Sequence, residues 1–138
     1  THASDYKQAL SCYEQALKLR SSKFGVNHLD VALTHNALGK LYDAIDEDEK
    51  AQDAFEEALR IRKQNLGDDH LDVAESLCHC GQMHKKFGDN EGALLCFKDV
   101  LRVRKIHLGD DDILVAEVYE HLGDIYQIMS EYERALLC

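Results

Sequence analysis

The sequence predicts an all-α solenoid of stacked antiparallel helix hairpins, and three observations carry that expectation. First, residues recur at a fixed step of 42: Gly39, Gly81 and Gly123; Ala9, Ala51, Ala93 and Ala135; Gly25, Gly67 and Gly109; Tyr13, Phe55 and Phe97; Leu17, Leu59 and Leu101; Arg20, Arg62 and Arg104. Several columns in one register mark an internal repeat, and a period of this size marks a repeated supersecondary unit. Second, within each period the apolar residues fall at three- and four-residue steps, the spacing of one helix face. Third, the 138 residues contain no proline, so the usual breaker of helix interiors is absent.

The elements follow in order. The chain opens inside a helix B, from Tyr6 to Lys23, which ends before Gly25. Two full units follow, 28–69 and 70–111, then a partial one, 112–138; with the half repeat 1–27 they make residues 1–138 a single array. In the second unit, Leu71, Ala74, Leu77, Cys78 and Gly81 line one face of helix A, which runs to about Phe87. Gly88-Asp89-Asn90 makes the turn. Helix B carries Ala93, Phe97, Val100, Leu101 and Arg104 on one face to about His107. It closes at Leu108-Gly109, where glycine supplies the left-handed residue past a helix end and Arg104 and Lys105 lie near the negative end of the dipole. The runs Asp68-Asp69-His70 and Asp110-Asp111-Asp112 offer acceptors to the free N–H groups that start the next helix A. The last unit adds a helix A and a stub of helix B from Glu131 to Cys138, for about seven helices. A lone hairpin cannot bury its apolar face, so neighbouring units must cover it, and the array is expected to be a segment of a longer one.

Charge and composition narrow the function. With 26 Asp and Glu against 16 Lys and Arg, the net charge is -10, the wrong sign for neutralising phosphates of nucleic acid or an anionic membrane. No run of apolar residues is long enough to span a bilayer, and Thr1 to Asp5 has neither the basic nor the apolar region of a signal peptide. Five cysteines make an odd count without a disulfide framework, which points to a reducing intracellular, cytoplasmic setting.

The columns resemble the tetratricopeptide repeat (TPR) family. Its small residue, Leu-Gly, aromatic, Ala, Phe, Ala pattern stands here as Ala32, Leu38-Gly39, Tyr42, Ala51, Phe55 and Ala58. The second unit reads Ala74, Cys80-Gly81, His84, Ala93, Phe97 and Val100, and the third Ala116, Leu122-Gly123, Tyr126 and Ala135. The unit is longer than the ordinary one of about 34 residues and lacks its proline, with Lys63 and Lys105 in that place. With its Leu-Gly-Asp-Asp-His-Leu-Asp-Val-Ala junction at Leu66 to Ala74, it is similar to the kinesin light chain type, although His28-Leu29 and His70-Leu71 replace the usual His-Pro. The resemblance implies a right-handed α-α superhelix, no enzymatic activity, no cofactor or metal, and a protein partner held in the concave groove of the A helices, as an extended peptide or a helix.

Carrying that geometry over residue by residue places Leu33, Asn36, Ala37, Lys40, Asp43 and Ala44 in the groove from the first unit. Glu75, Cys78, His79, Gln82, Lys85 and Lys86 follow from the second, and Glu117, Glu120, His121, Asp124, Gln127 and Ile128 from the third. Lys40, Lys85 and Lys86 then face Glu117, Glu120 and Asp124, so that charge would set the register of a ligand. Asn36 and Lys40 match part of a carboxylate clamp, but Glu75 and Glu117 stand where it needs cations. Acidic peptides are disfavoured by the third unit, leaving a basic or mixed-charge segment. A structural subunit of a large complex, held by its ends and convex face, is the other expectation.

Three chemical constellations yield to the repeat register. Cys78, Cys80 and His84 could ligate a metal, but Cys80 occupies the Leu38/Leu122 core column and His84 the Tyr42/Tyr126 column. Cys12, Cys96 and Cys138 also share a column, with Ala54. His28 and His70 recur at helix starts, where a ring nitrogen can cap backbone groups. Arg20, Arg62 and Arg104 are expected to bridge to carboxylates of adjacent helices.

Overall fold

The computed structural model describes residues 2–137. They form six helices: α1 (His2–Phe24), α2 (Leu29–Ala44), α3 (Asp48–Leu66), α4 (Leu71–Lys86), α5 (Asn90–Leu108) and α6 (Ile113–Leu137). Two compact units result, Thr1–Asp68 and Asp69–Cys138.

In the first unit, α2 packs against both α1 and α3. Val31 and Ala32 meet Ala58 and Ile61 in its core, with Leu17 of α1 laid against them. The glycine column is a matter of contact distance: a Cβ at Gly39 would lie 2.6 Å from Phe55 Cε1. The second unit places α5 against both α4 and α6. A Cβ at Gly81 would meet Phe97 Cε2 at 2.9 Å, and the phenyl ring is fully buried. Such close approach lets helices interlock at the density of an organic crystal. Nothing lies within 4 Å of a Cβ at Gly123.

Helix starts are capped by different side chains in one role. His28 Nδ1 accepts from the Asp30 N–H and His70 Nδ1 from the Asp72 N–H, each at 3.0 Å. Asp112 Oδ1 does the same for Leu114 at 2.9 Å, and Asp89 Oδ1 accepts from Gly92 at 3.0 Å to start α5. Each satisfies a backbone donor the helix cannot.

Of the run Asp68-Asp69-His70 before α4, the histidine fills the capping role expected of it and the two aspartates do not. His70, not Asp68 or Asp69, caps the helix, and Asp69 Oδ1 receives Arg102 Nη1 of α5 at 2.6 Å. His107 Nε2 lies at hydrogen-bond distance from the Asp69 carbonyl. One period earlier Arg60 donates to Asn27 Oδ1 at 2.9 Å, and Asn65 Nδ2 to the Asn27 carbonyl at 2.8 Å. Each clasp ties the loop before a helix A to the helix B that follows it.

Two further expectations are corrected. The stub at Glu131 is not a separate helix, because α6 runs unbroken to Leu137. Helix A ends elsewhere next to a left-handed residue, Asp46 at φ 61° or Gly88 at φ 82°. The third member of that column is Ser130, which has no such ease with positive φ, so the helix continues. In the arginine column, Arg20 and Arg104 reach uncharged acceptors in place of the expected carboxylates. Arg104 Nη1 donates to the Leu114 carbonyl at 3.0 Å, while Arg20 Nη1 donates to Thr34 Oγ1 at 2.8 Å and the Asp30 carbonyl at 3.3 Å. Arg20 and Arg104 thus each reach a carbonyl in the first turn of the helix A that follows, and Arg20 the Thr34 hydroxyl as well.

Candidate partner-binding face

The residues assigned to the groove divide by burial. On α2, Lys40 and Asp43 are exposed, whereas Asn36 is buried. On α4, Glu75, Gln82 and Lys86 are exposed, His79 and Lys85 are half-buried, and Cys78 is buried. On α6, Glu117, Glu120 and Asp124 are exposed and His121 is half-buried.

Within the second unit α4 and α6 present one face together. Lys85 Nζ lies 3.7 Å from Asp124 Oδ2, so the opposite charges on the two helices do meet there. His121 stacks on Phe97 with ring centroids 4.6 Å apart, and its Nε2 stands 3.9 Å from Glu117 Oε1 one turn back. Gln82, Lys85, Lys86, His121 and Ile128 line a hollow of about 370 Å³. Its lining joins two ammonium groups to an apolar floor, a surface that can take an aliphatic side chain and orient a nearby carboxylate or carbonyl. Beneath it, burial raises the Cys78 thiol above its ordinary range, against the opposing pull of the Arg104 guanidinium.

The first unit holds a cluster that sequence columns do not reveal. Leu17, His35, Leu38, Tyr42, Lys50, Asp53, Ala54 and Glu57 line a hollow of about 480 Å³. Arg60 hydrogen-bonds Glu57 one turn away and holds its carboxyl below the usual range. Burial lowers the His35 imidazole, assisted by Arg60 and opposed by Glu57. His35 stands in a column with Leu77 and Tyr119, so no repeated polarity signals it. The i, i+3 spacing of Glu57 and Arg60 was the available clue.

Residues weighed for chemistry have structural work. His28 and His70 are caps. Cys80 is buried in the core. His84 Nδ1 lies 3.1 Å from Asp89 Oδ2, joining the end of α4 to the start of α5. Cys78, Cys80 and His84 are therefore not gathered as a ligand set among the described residues. Cys12, Cys78, Cys80 and Cys96 are not in disulfides, and Cys138 lies outside the described residues. No described helix is long and apolar enough to cross a membrane.

Comparison with known proteins agrees with this architecture. Residues 1–64 and 49–106 match the family profile of the tetratricopeptide repeat. BtubC (BKLC) from P. vanneervenii matches with a TM-score of 0.83 at 23% identity, over 98% of this chain and 54% of its own. A Podosopora anserina protein described as a kinesin light chain with nearly identical TPR-like repeats matches with a TM-score of 0.83 at 16% identity, over 97% of this chain and 64% of its own. The chain thus spans between half and two thirds of the length of these structures, and at such identities the likeness is one of fold. Among curated proteins none matches significantly.

Proposed function

The chain belongs to the tetratricopeptide repeat family, a family of non-catalytic protein-interaction modules, and from that premise we propose that it is a scaffold or adaptor whose A helices bind a partner protein. The ligand is an extended peptide or helix of basic or mixed charge, seated along Lys40 and Asp43, then Glu75, His79, Gln82, Lys85 and Lys86, then Glu117, Glu120, His121 and Asp124, with Asn36 as buried support. The carrying observation is the hollow between α4 and α6, with Lys86 at its edge and Glu117, Glu120 and Asp124 exposed on α6. A few seated anchors supply affinity in such a surface, and charge sets register. The period of 42 supports assigning residues 1–138 to one array of the kinesin light chain type. Free thiols support a reducing, cytoplasmic setting.

Fluorescence anisotropy with a panel of labelled basic, acidic and mixed-charge peptides tests this reading. Micromolar binding of a basic or mixed peptide is expected, weakened about tenfold by Glu117→Lys with Glu120→Lys, a loss of about 1.4 kcal/mol. Binding indifferent to these reversals and to Lys86→Glu would sink groove recognition.

A second reading has its own observation. Tyr6, Leu10 and Ile45 line a predominantly apolar hollow of about 710 Å³ between α1 and the end of α2. A structural subunit covered at that end would lose its complex on Leu10→Asp while groove reversals stay silent.

A further inference from the structure

Cys78 of α4 and Glu117 and His121 of α6 bring a thiol sulfur, a carboxylate oxygen and an imidazole nitrogen within 4.8 Å of one another. We propose that these three side chains form a zinc site that pins α4 to α6, with a fourth position open to water. The donor set suits a borderline-soft ion that takes sulfur, nitrogen and carboxylate oxygen together.

Glu117 and His121 are four residues apart on one helix, the spacing that puts two ligands on one face. The His121 ring is already oriented by its stack on Phe97, as a metal-bound imidazole must be. Zinc would hold the three atoms about 3.3–3.8 Å from one another, so the side chains together close a gap of at most 4.8 Å, Glu117 most freely because it is long and exposed.

The column that holds Cys78 argues against simple packing. Its other members are Asn36 and Glu120, so this place does not call for a small apolar residue. Cys80 differs, because its column is leucine. The sequence alone pointed away from metal because it offered Cys80 and His84 as partners on the same helix, whereas the completing ligands come from α6.

Charge closes around the same point. Arg104, Glu117 and Glu75 are the charged groups that act on Cys78, and with the thiol neutral they sum to one negative charge. A divalent ion that forms a bond to Sγ and releases the Cys78 proton to solvent brings the sum to zero. The exchange consumes no oxidant, and binding strengthens as pH rises, because one proton leaves.

The experiment adds Co²⁺, then Zn²⁺, to the whole chain with Cys12, Cys96 and Cys138 changed to serine. One equivalent of Co²⁺ should produce a thiolate-to-cobalt charge-transfer band with the visible bands of a tetrahedral ion, and Zn²⁺ should displace it. Zn²⁺ should also raise Tm. Cys78→Ser should abolish the band, and Glu117→Gln and His121→Gln should each weaken Zn²⁺ binding at least tenfold in competition with a chromophoric chelator. Glu117 is exposed, so Glu117→Gln keeps the fold and reads the site even where Cys78→Ser destabilises it; helicity is checked by circular dichroism. Absence of the band, its survival in Cys78→Ser, or parental Zn²⁺ affinity in Glu117→Gln would overturn the proposal.

Discussion

Gly81 and Gly123 share a column and differ in what surrounds them. Gly81→Ala would push a methyl group into Phe97 and should cost about 1–3 kcal/mol through overpacking. Gly123→Ala meets open space and should gain up to about 1 kcal/mol of helix propensity. Urea denaturation of both variants measures the contrast. His35 supplies a pH dependence. Burial lowers its pKa from the usual 6.5, so the unfolded chain takes up the proton first. That contribution is complete above about 6.5 and lost as pH falls through the depressed folded value. Thermal melts stepped from about pH 7.5 to 5 should show Tm falling through that window, with the slope reduced in His35→Gln. The glycine columns were legible because a close approach repeats at Gly39 and Gly81 and a left-handed backbone at Gly25, Gly67 and Gly109. His35 was not, because its neighbours in register are Leu77 and Tyr119.

At the scale of elements, the caps and clasps decide where helices begin. His70→Ala should cost about 0.5–2 kcal/mol, whereas His70→Asp, the residue type found at Asp112, should retain most of it. Thermal melts at neutral pH distinguish the two. Arg104→Met leaves the part-buried Leu114 carbonyl without the donor that reaches it at 3.0 Å and should cost about 0.5–1.5 kcal/mol. Arg102→Ala removes an exposed ion pair with Asp69 and should cost no more than about 1 kcal/mol. Helix existence and most boundaries followed from apolar spacing and glycine. The Asn27 and Asp69 clasps did not, since Asn65 and His107 serve one contact with unlike chemistry. The continuous α6 escaped for another reason: periodicity predicts a turn at Ser130, and only the backbone preference of that one residue opposes it.

For the molecule as a whole, a net charge of -10 implies repulsion that compaction increases. Raising NaCl from about 0.02 to about 0.2 M shortens the screening length to below about 10 Å and should raise Tm, read by circular dichroism. The repeat period made the all-α class legible, because columns of buried residues are what a stacked fold conserves along its own chain. The proposed partner-binding face rests on analogy alone, since exposed polar positions vary from unit to unit. The encounter of Cys78 with Glu117 and His121 required the positions of two helices from different repeats.

Among the described residues, the most extensive helix contacts join helices adjacent along the chain. During synthesis, therefore, a helix finds its mate as soon as the next one leaves the ribosome. At about 5–20 residues per second, a 19-residue helix such as α5 emerges in about 1–4 s. An apolar face waits only that long for cover, and no segment must be held open for a strand or helix made much later. Such local order of assembly favours rapid folding and limits the chaperone's task to the span of one hairpin.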